Sequence, residues 1–117
     1  MLGRAFEEEG FCVVRGPDII FGGDIRSFHI PPNRVDGIIG GPPCQDFSSL
    51  NRNPGDEGLE LLGEYMRVVS EARPDWFLVE NVARVPDVAL DGYTVQRFDL
   101  NALNCDMRQS RLRHFQF

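Results

Sequence analysis

The stretch Trp76-Phe77-Leu78-Val79-Glu80-Asn81 decides how the rest of the chain is read. Four large apolar residues run without a break and lead straight into a carboxylate and an amide. Such a run marks a strand buried on both faces of a parallel sheet, because parallel sheets are covered by helices above and below. Just upstream, Leu59 to Ala72 reads as an amphipathic helix, with Leu62, Met66 and Val69 recurring at steps of four and three. Pro74 ends it.

Further upstream, Val35-Asp36-Gly37-Ile38-Ile39-Gly40 reads as another strand, set between Pro31-Pro32 and Gly41-Pro42-Pro43. Strand, helix and strand in this order predict an α/β sheet of Rossmann-like type. Arg4 to Glu9 reads as the tail of a helix closed by Gly10, and Phe11-Cys12-Val13-Val14 as a short buried strand. Gly16 to Gly23 is rich in turn residues. Tyr93–Phe98 and His114–Phe117 are expected as later strands, separated by a polar loop over Asn101–Gln109. Residues 41–57 form a long polar loop, and loops of that length inside a small domain are usually functional or mobile.

The 117 residues are enough for one domain, and 42% hydrophobic with 26% charged residues is ordinary globular usage. The net charge is -6, and all twelve basic residues are arginines. A chain this acidic does not coat nucleic acid through charge alone. The imbalance is uneven: residues 1–96 hold eight arginines and sixteen acids, whereas residues 97–117 hold four arginines and two acids. The C-terminal end is therefore the place to look for contact with a polyanion. Cys12, Cys44 and Cys105 are too widely spaced for a disulfide framework, which points to a reducing compartment. His29 and His114 are too isolated for a zinc site, so no metal is expected. No apolar run approaches the roughly 18 residues of a membrane span, and Met1–Gly10 is acidic rather than signal-like. A soluble, cytoplasmic protein with no membrane partner is expected.

Ligands of open α/β sheets bind beyond the carboxyl ends of the parallel strands. Two such ends carry reactive groups: Ile38-Ile39-Gly40 runs out into the loop that holds Cys44, and Phe77-Leu78-Val79 runs into Glu80-Asn81. A thiol and a carboxylate should meet over one sheet edge. A carboxyl sheltered behind four apolar residues favours its protonated form and can donate a proton or hydrogen bond. If the last segment is extended, Arg111 and Arg113 share a face with Phe115 and Phe117 and need acidic partners, which Glu80 or an anionic substrate could supply. A solvated surface strand is the competing reading.

Together these residues resemble the cytosine-5 DNA methyltransferases. Gly41-Pro42-Pro43-Cys44-Gln45-Asp46-Phe47-Ser48 is similar to that family's catalytic Pro-Cys-Gln loop, Glu80-Asn81-Val82 to its Glu-Asn-Val motif, and Gln109-Ser110-Arg111-Leu112-Arg113 to its Gln-x-Arg-x-Arg motif. The three occur in order, and the match runs from about Phe6 to the C-terminus. The resemblance implies a Rossmann-like S-adenosylmethionine-dependent methyltransferase fold acting on double-stranded DNA. It implies a Cys44 thiolate that adds to carbon 6 of a flipped cytosine, and a Glu80, beside Asn81, that contacts the ring nitrogen and exocyclic amine. It implies that Arg113, supported by Arg111, holds the base and the thiolate, while carbon 5 receives the methyl group. Asp18, Asp24, Ile25, Pro43 and Leu61 are the positions that the resemblance assigns to the S-adenosylmethionine site.

The chain also departs from the family pattern. The family opens with a strand and a Gly-rich loop, whereas Met1-Leu2-Gly3-Arg4 reads as the helix that follows them. Residues 1–117 are therefore expected to be a partial catalytic domain, with the first strand and the Gly-rich loop missing and no target-recognition domain. Missing those parts would weaken contact with DNA. It would also leave open strand edges, a hazard for aggregation or a route to a homodimer. The ten residues between Val82 and Tyr93 are too few for a full crossover helix. Two other readings stay open: a non-catalytic remnant that acts as a binding or assembly module, and a small thiol enzyme that uses Cys44 on another substrate.

Overall fold

Helix α2 (Glu57–Ala72) forms because its apolar residues fall on one stripe: Gly58, Leu62, Tyr65, Val68, Val69 and Ala72 are all buried. Glu57 and Glu60 occupy its first turn, where a negative charge suits the positive end of the helix dipole. The helix stops where Arg73 takes a left-handed backbone (φ 48°) and Pro74 follows. The computed structural model describes residues 2–16, 23–42, 57–105, 108 and 111–117. Its other elements are helix α1 (Leu2–Glu8), strands β1 (Gly37–Gly40), β2 (Trp76–Asn81), β3 (Arg97–Asn101) and β4 (Leu112–Gln116), and short 3-10 turns at Ile25–Ser27 and Ala102–Cys105.

The strands form one mixed sheet in the order β1-β2-β4-β3. β1 pairs parallel with β2, and β4 runs antiparallel to both β2 and β3. Helix α2 lies on the face that carries Phe77 and Val79, where Leu62, Tyr65, Val69 and Val85 complete the core. Two glycines bracket β1. A Cβ at Gly37 would enter the Trp76 ring, and one at Gly40 would enter the Tyr65 ring. The strand backbone thus lies against one aromatic ring on each face. Tyr65 also holds the two strands together, its hydroxyl donating to the carbonyl of Leu78 (2.9 Å) or of Ile38 (3.2 Å).

Burial along β2 alternates, so the strand is not buried on both faces as its apolar run predicts. Phe77, Val79 and Asn81 are buried under α2, whereas Trp76, Leu78 and Glu80 are half-buried on the far side. The cause is incomplete cover. On that side the cover described is helix α1, whose Phe6 stacks on Trp76 (5.7 Å, 15°), with Phe11 and Phe117 approaching the same ring.

The expected strand at Phe11–Val14 does not form. Residues 11–16 are irregular, Phe11 and Val14 are exposed, and no neighbouring strand pairs with them among the described residues. Phe11 spends its aromatic ring on Phe6 and Trp76 instead. The Tyr93–Phe98 strand starts later than expected, at Arg97; Tyr93 and Val95 pack inward without a ladder. The expected loop at Asn101–Gln109 begins with the last residue of β3 and a 3-10 turn.

Residues 82–96 carry no helix, as their length predicts. Side chains hold this connection instead. Gln116 accepts from the Val88 amide (2.6 Å) and donates to the Pro86 carbonyl (2.9 Å), while Arg97 donates to the Ala83 carbonyl (2.7 Å). The Tyr93 hydroxyl donates to the Pro74 carbonyl. No described helix is long and apolar enough to cross a membrane.

Candidate active site

The sheet register builds the site. Glu80 faces Phe115 across the β2–β4 pair, and Arg113 lies two residues before Phe115 on the same face. The Arg113 Nε donates to Glu80 Oε1 at 2.7 Å, with both side chains more than two-thirds buried (28% and 29% exposed). A half-sheltered pair of this kind loses less to solvent screening than a surface ion pair. Gly41, just past β1, lies against the same carboxylate: a Cβ there would stand 3.1 Å from Glu80 Oε2. Asn81 is buried and ties the two strand ends together. Its Nδ2 donates to the Pro42 carbonyl at 3.4 Å, and its Oδ1 accepts from the Val82 amide at 2.9 Å.

The ends of β1 and β2 lie side by side, with Arg113 on Glu80 at one face and Asn81 on the Pro42 carbonyl at the other; the thiol of the expected thiol–carboxylate meeting, Cys44, lies outside the described residues. Arg111 does not join them. It precedes β4, its side chain is exposed, and the described residues offer its guanidinium no partner. Its backbone amide donates to Asn101 Oδ1 (3.1 Å). Cys44, Pro43 and Asp18 lie outside the described residues.

Asp24 and Ile25 form a second locus against α2. Asp24 caps the Ile25–Ser27 turn, its Oδ1 accepting from the Arg26 amide (2.9 Å) and its Oδ2 from the Arg26 guanidinium (3.2 Å). Arg26 also donates to Glu60 Oε1 (2.8 Å). Ile25 packs on the core, and Leu61, next to Glu60 on α2, is half-buried. The Arg26 backbone amide, then its guanidinium, hold the Asp24 carboxyl below its ordinary value of 3.8. Arg26 likewise lowers Glu60, and His29 with Arg67 lowers Glu71, both from 4.5.

These three depressed values fix the sign of the acid response. Below the ordinary carboxylate range the unfolded chain takes up protons that the folded chain refuses, so stability falls as pH drops. Thermal unfolding followed from about pH 6 to about pH 3 should show Tm level at first and falling below roughly pH 4.5. All three groups lie near the surface, so added salt should shrink the effect.

Two residues of this region escaped the motif reading. Arg67 of α2 is one; Glu64 and Glu71, three before and four after it, are the sequence signal that it is held. His114 is the other. It is fully buried on the face opposite Arg113, with Nδ1 2.6 Å from Asp99 Oδ1 and Nε2 unpartnered among the described residues. No group of three metal-ligating side chains occurs among the described residues.

Comparison with known proteins gives the family of the chain. The family profile for C-5 cytosine-specific DNA methylase matches residues 18–117. The type II methyltransferase M.DdeI of Desulfomicrobium norvegicum is 37% identical over 110 residues, covering 80% of this chain and 26% of the relative. M.HgiDI of Herpetosiphon aurantiacus is 36% identical over 91 residues, covering 67% of this chain and 29% of the relative. A crystal structure described as that of a candidate DNA modification methyltransferase encoded within a prophage (E. coli) superposes with a TM-score of 0.54 at 32% identity. It covers 69% of this chain and 25% of the other. The chain belongs to the C-5 cytosine-specific DNA methylase family. It spans between a quarter and three tenths of the length of these relatives.

Proposed function

We propose that residues 1–117 form a partial catalytic domain of a cytosine-5 DNA methyltransferase with a Rossmann-like fold, which methylates carbon 5 of a cytosine flipped out of double-stranded DNA. The observation that carries this reading is the Glu80–Arg113 ion pair at the tied ends of β1 and β2. Cys44 follows Pro42 by two residues, a reach of at most about 7 Å of chain.

In this mechanism the Cys44 thiolate adds to carbon 6 of the cytosine, which makes carbon 5 nucleophilic. Glu80 holds the ring nitrogen and the exocyclic amine, and Arg113 keeps the Glu80 carboxylate aimed at them. Once carbon 5 carries the methyl group, loss of its proton to water expels Cys44 as the thiolate and restores the aromatic ring. A thiolate suits this task because it attacks well and also leaves well. Extruding the base is how enzymes reach ring atoms that stacking hides.

Asp24 and Ile25 fit the adenine end of S-adenosylmethionine as a hydrogen-bond acceptor and an apolar surface. Asp24 offers half-exposed carboxylate oxygens with acceptor capacity left after Arg26, and Ile25 offers an apolar surface. Leu61 would add to that surface, with Asp18 and Pro43 completing the set. When bound, S-adenosylmethionine would supply an electrophilic methyl group for carbon 5. Incubation with S-adenosylmethionine and duplex DNA containing 5-fluorocytosine should yield a covalent adduct that denaturing gels retain and that Cys44→Ala abolishes. Failure of the unsubstituted chain to form it would refute activity.

A second reading, a non-catalytic binding or assembly module or a homodimer, draws on one feature. β1 has a strand neighbour on one side only among the described residues. Sedimentation as a monomer at micromolar concentration counts against it.

A further inference from the structure

The turn Asp24–Phe28 has little to hold itself together. It is a single 3-10 turn closed by Ser27 and Phe28 amides that donate to Asp24 and Ile25 carbonyls at 3.2 and 3.1 Å. One isolated turn does not persist in water, because the cost of ordering it exceeds the gain of its few hydrogen bonds. The Arg26 pairs to Asp24, Glu57 and Glu60 are largely exposed, and exposed pairs contribute little.

Arg67 supplies what is lacking. One nitrogen of its guanidinium, Nη2, donates to both the Ile25 carbonyl (2.7 Å) and the Phe28 carbonyl (3.0 Å), spanning the turn from start to end. The remaining edges are held on α2 itself: Nε donates to Glu64 Oε2 at 2.6 Å and Nη1 to Glu71 Oε2 at 2.9 Å. His29, just past the turn, closes the cluster with Nδ1 2.9 Å from Glu71 Oε2. A planar fork fixed by carboxylates three residues before and four after it has one orientation, which a lysine ammonium cannot reproduce.

We propose that Arg67 is a positioning residue for the cofactor: it clamps the Asp24–Phe28 turn to helix α2, so that Asp24 and Ile25 meet the adenosyl group in a ready-made conformation. The proposal rests on the reading that Asp24 and Ile25 receive that group. Ordering the turn beforehand removes a cost that binding would otherwise carry.

The test uses the full chain and its Arg67→Met, Arg67→Lys and Tyr93→Phe forms. Without ligand, amide hydrogen exchange at Ser27 and Phe28 should be about tenfold faster in both Arg67 variants, with the β2 amides unchanged. Calorimetric titration with S-adenosylhomocysteine should show about tenfold weaker binding in Arg67→Met, and lysine should restore only part of it. Tyr93→Phe, which loses the bond to Pro74 away from the turn, should lower Tm without changing affinity. Affinity in the Arg67 variants equal to that of the unsubstituted chain overturns the clamp. Absence of binding by the unsubstituted chain, even with faster exchange in the variants, overturns the cofactor reading of Asp24–Ile25 and the role of Arg67 with it.

Discussion

Exchanging Glu80 for glutamine is expected to slow formation of the 5-fluorocytosine adduct by at least about a hundredfold, the usual share of a positioned acid or base. Glutamine keeps the length and one acceptor oxygen, so Arg113 retains a hydrogen bond. The pair is nearly three-quarters buried and glutamine keeps one hydrogen bond to Arg113, so the fold should lose about 1–2 kcal/mol, more than an exposed pair contributes. On the proposed mechanism, what is lost is the charge that holds the protonated or hydrogen-bonded ring nitrogen of the base. The two effects separate cleanly in one preparation: adduct rate by gel, stability by urea unfolding. A rate within a few-fold of the unsubstituted chain, with Cys44 still required, would mean that Glu80 braces Arg113 and does nothing to the base.

Gly40→Val should produce the largest loss of stability, about 3 kcal/mol or more. The added Cβ would stand 2.8 Å from Cδ2 of Tyr65 and closer still to the neighbouring ring atom. The ring cannot swing away, because it is buried between α2 and the sheet and its hydroxyl is engaged at strand carbonyls. Relief would have to come from lifting β1 off β2, which also moves Gly41 and Pro42 from Glu80 and Asn81. Gly63→Ala is the matched comparison. It lies within α2 with open space around it, and should stabilise by up to about 1 kcal/mol. Urea midpoints of the two variants should shift in opposite directions. A Gly40→Val chain as stable as the parent would show that Tyr65 does not pack where β1 needs bare backbone.

Much of this arrangement is legible in the residues themselves. The Trp76–Val79 run, the stripe on α2 and the Gly-Pro boundaries place β1, α2 and β2 within a few residues of their observed limits, because period and punctuation are local signals. The partnership of Glu80 with Arg113 is also readable, since a sheltered guanidinium needs an acid and strand alternation restricts the choice. Other features depend on partners that a sequence does not display. Phe11–Val14 has strand composition but no strand beside it among the described residues. The far face of β2 is apolar in sequence yet only thinly covered. Arg111 obeys the same alternation as Arg113, but it lies before the ladder begins and faces solvent. The bonds from Arg67 to carbonyls some forty residues away follow from packing alone.

The sheet order has a consequence for how the site comes into being. β4 follows β3 in the chain yet lies between β2 and β3, so the strand added last fills an interior place. On a nascent chain, β1, α2 and β2 can dock as soon as they emerge, but one edge of β2 stays bare until β4 arrives. Among the described residues Glu80 meanwhile has no arginine opposite it, and β3 has no strand to pair with. The carboxylate therefore gains its counter-ion in the same event that joins β3 to β2 through β4. Early folding intermediates would expose an unpaired strand next to an unfinished site, and the Glu80–Arg113 pair would form only once β4 is in place.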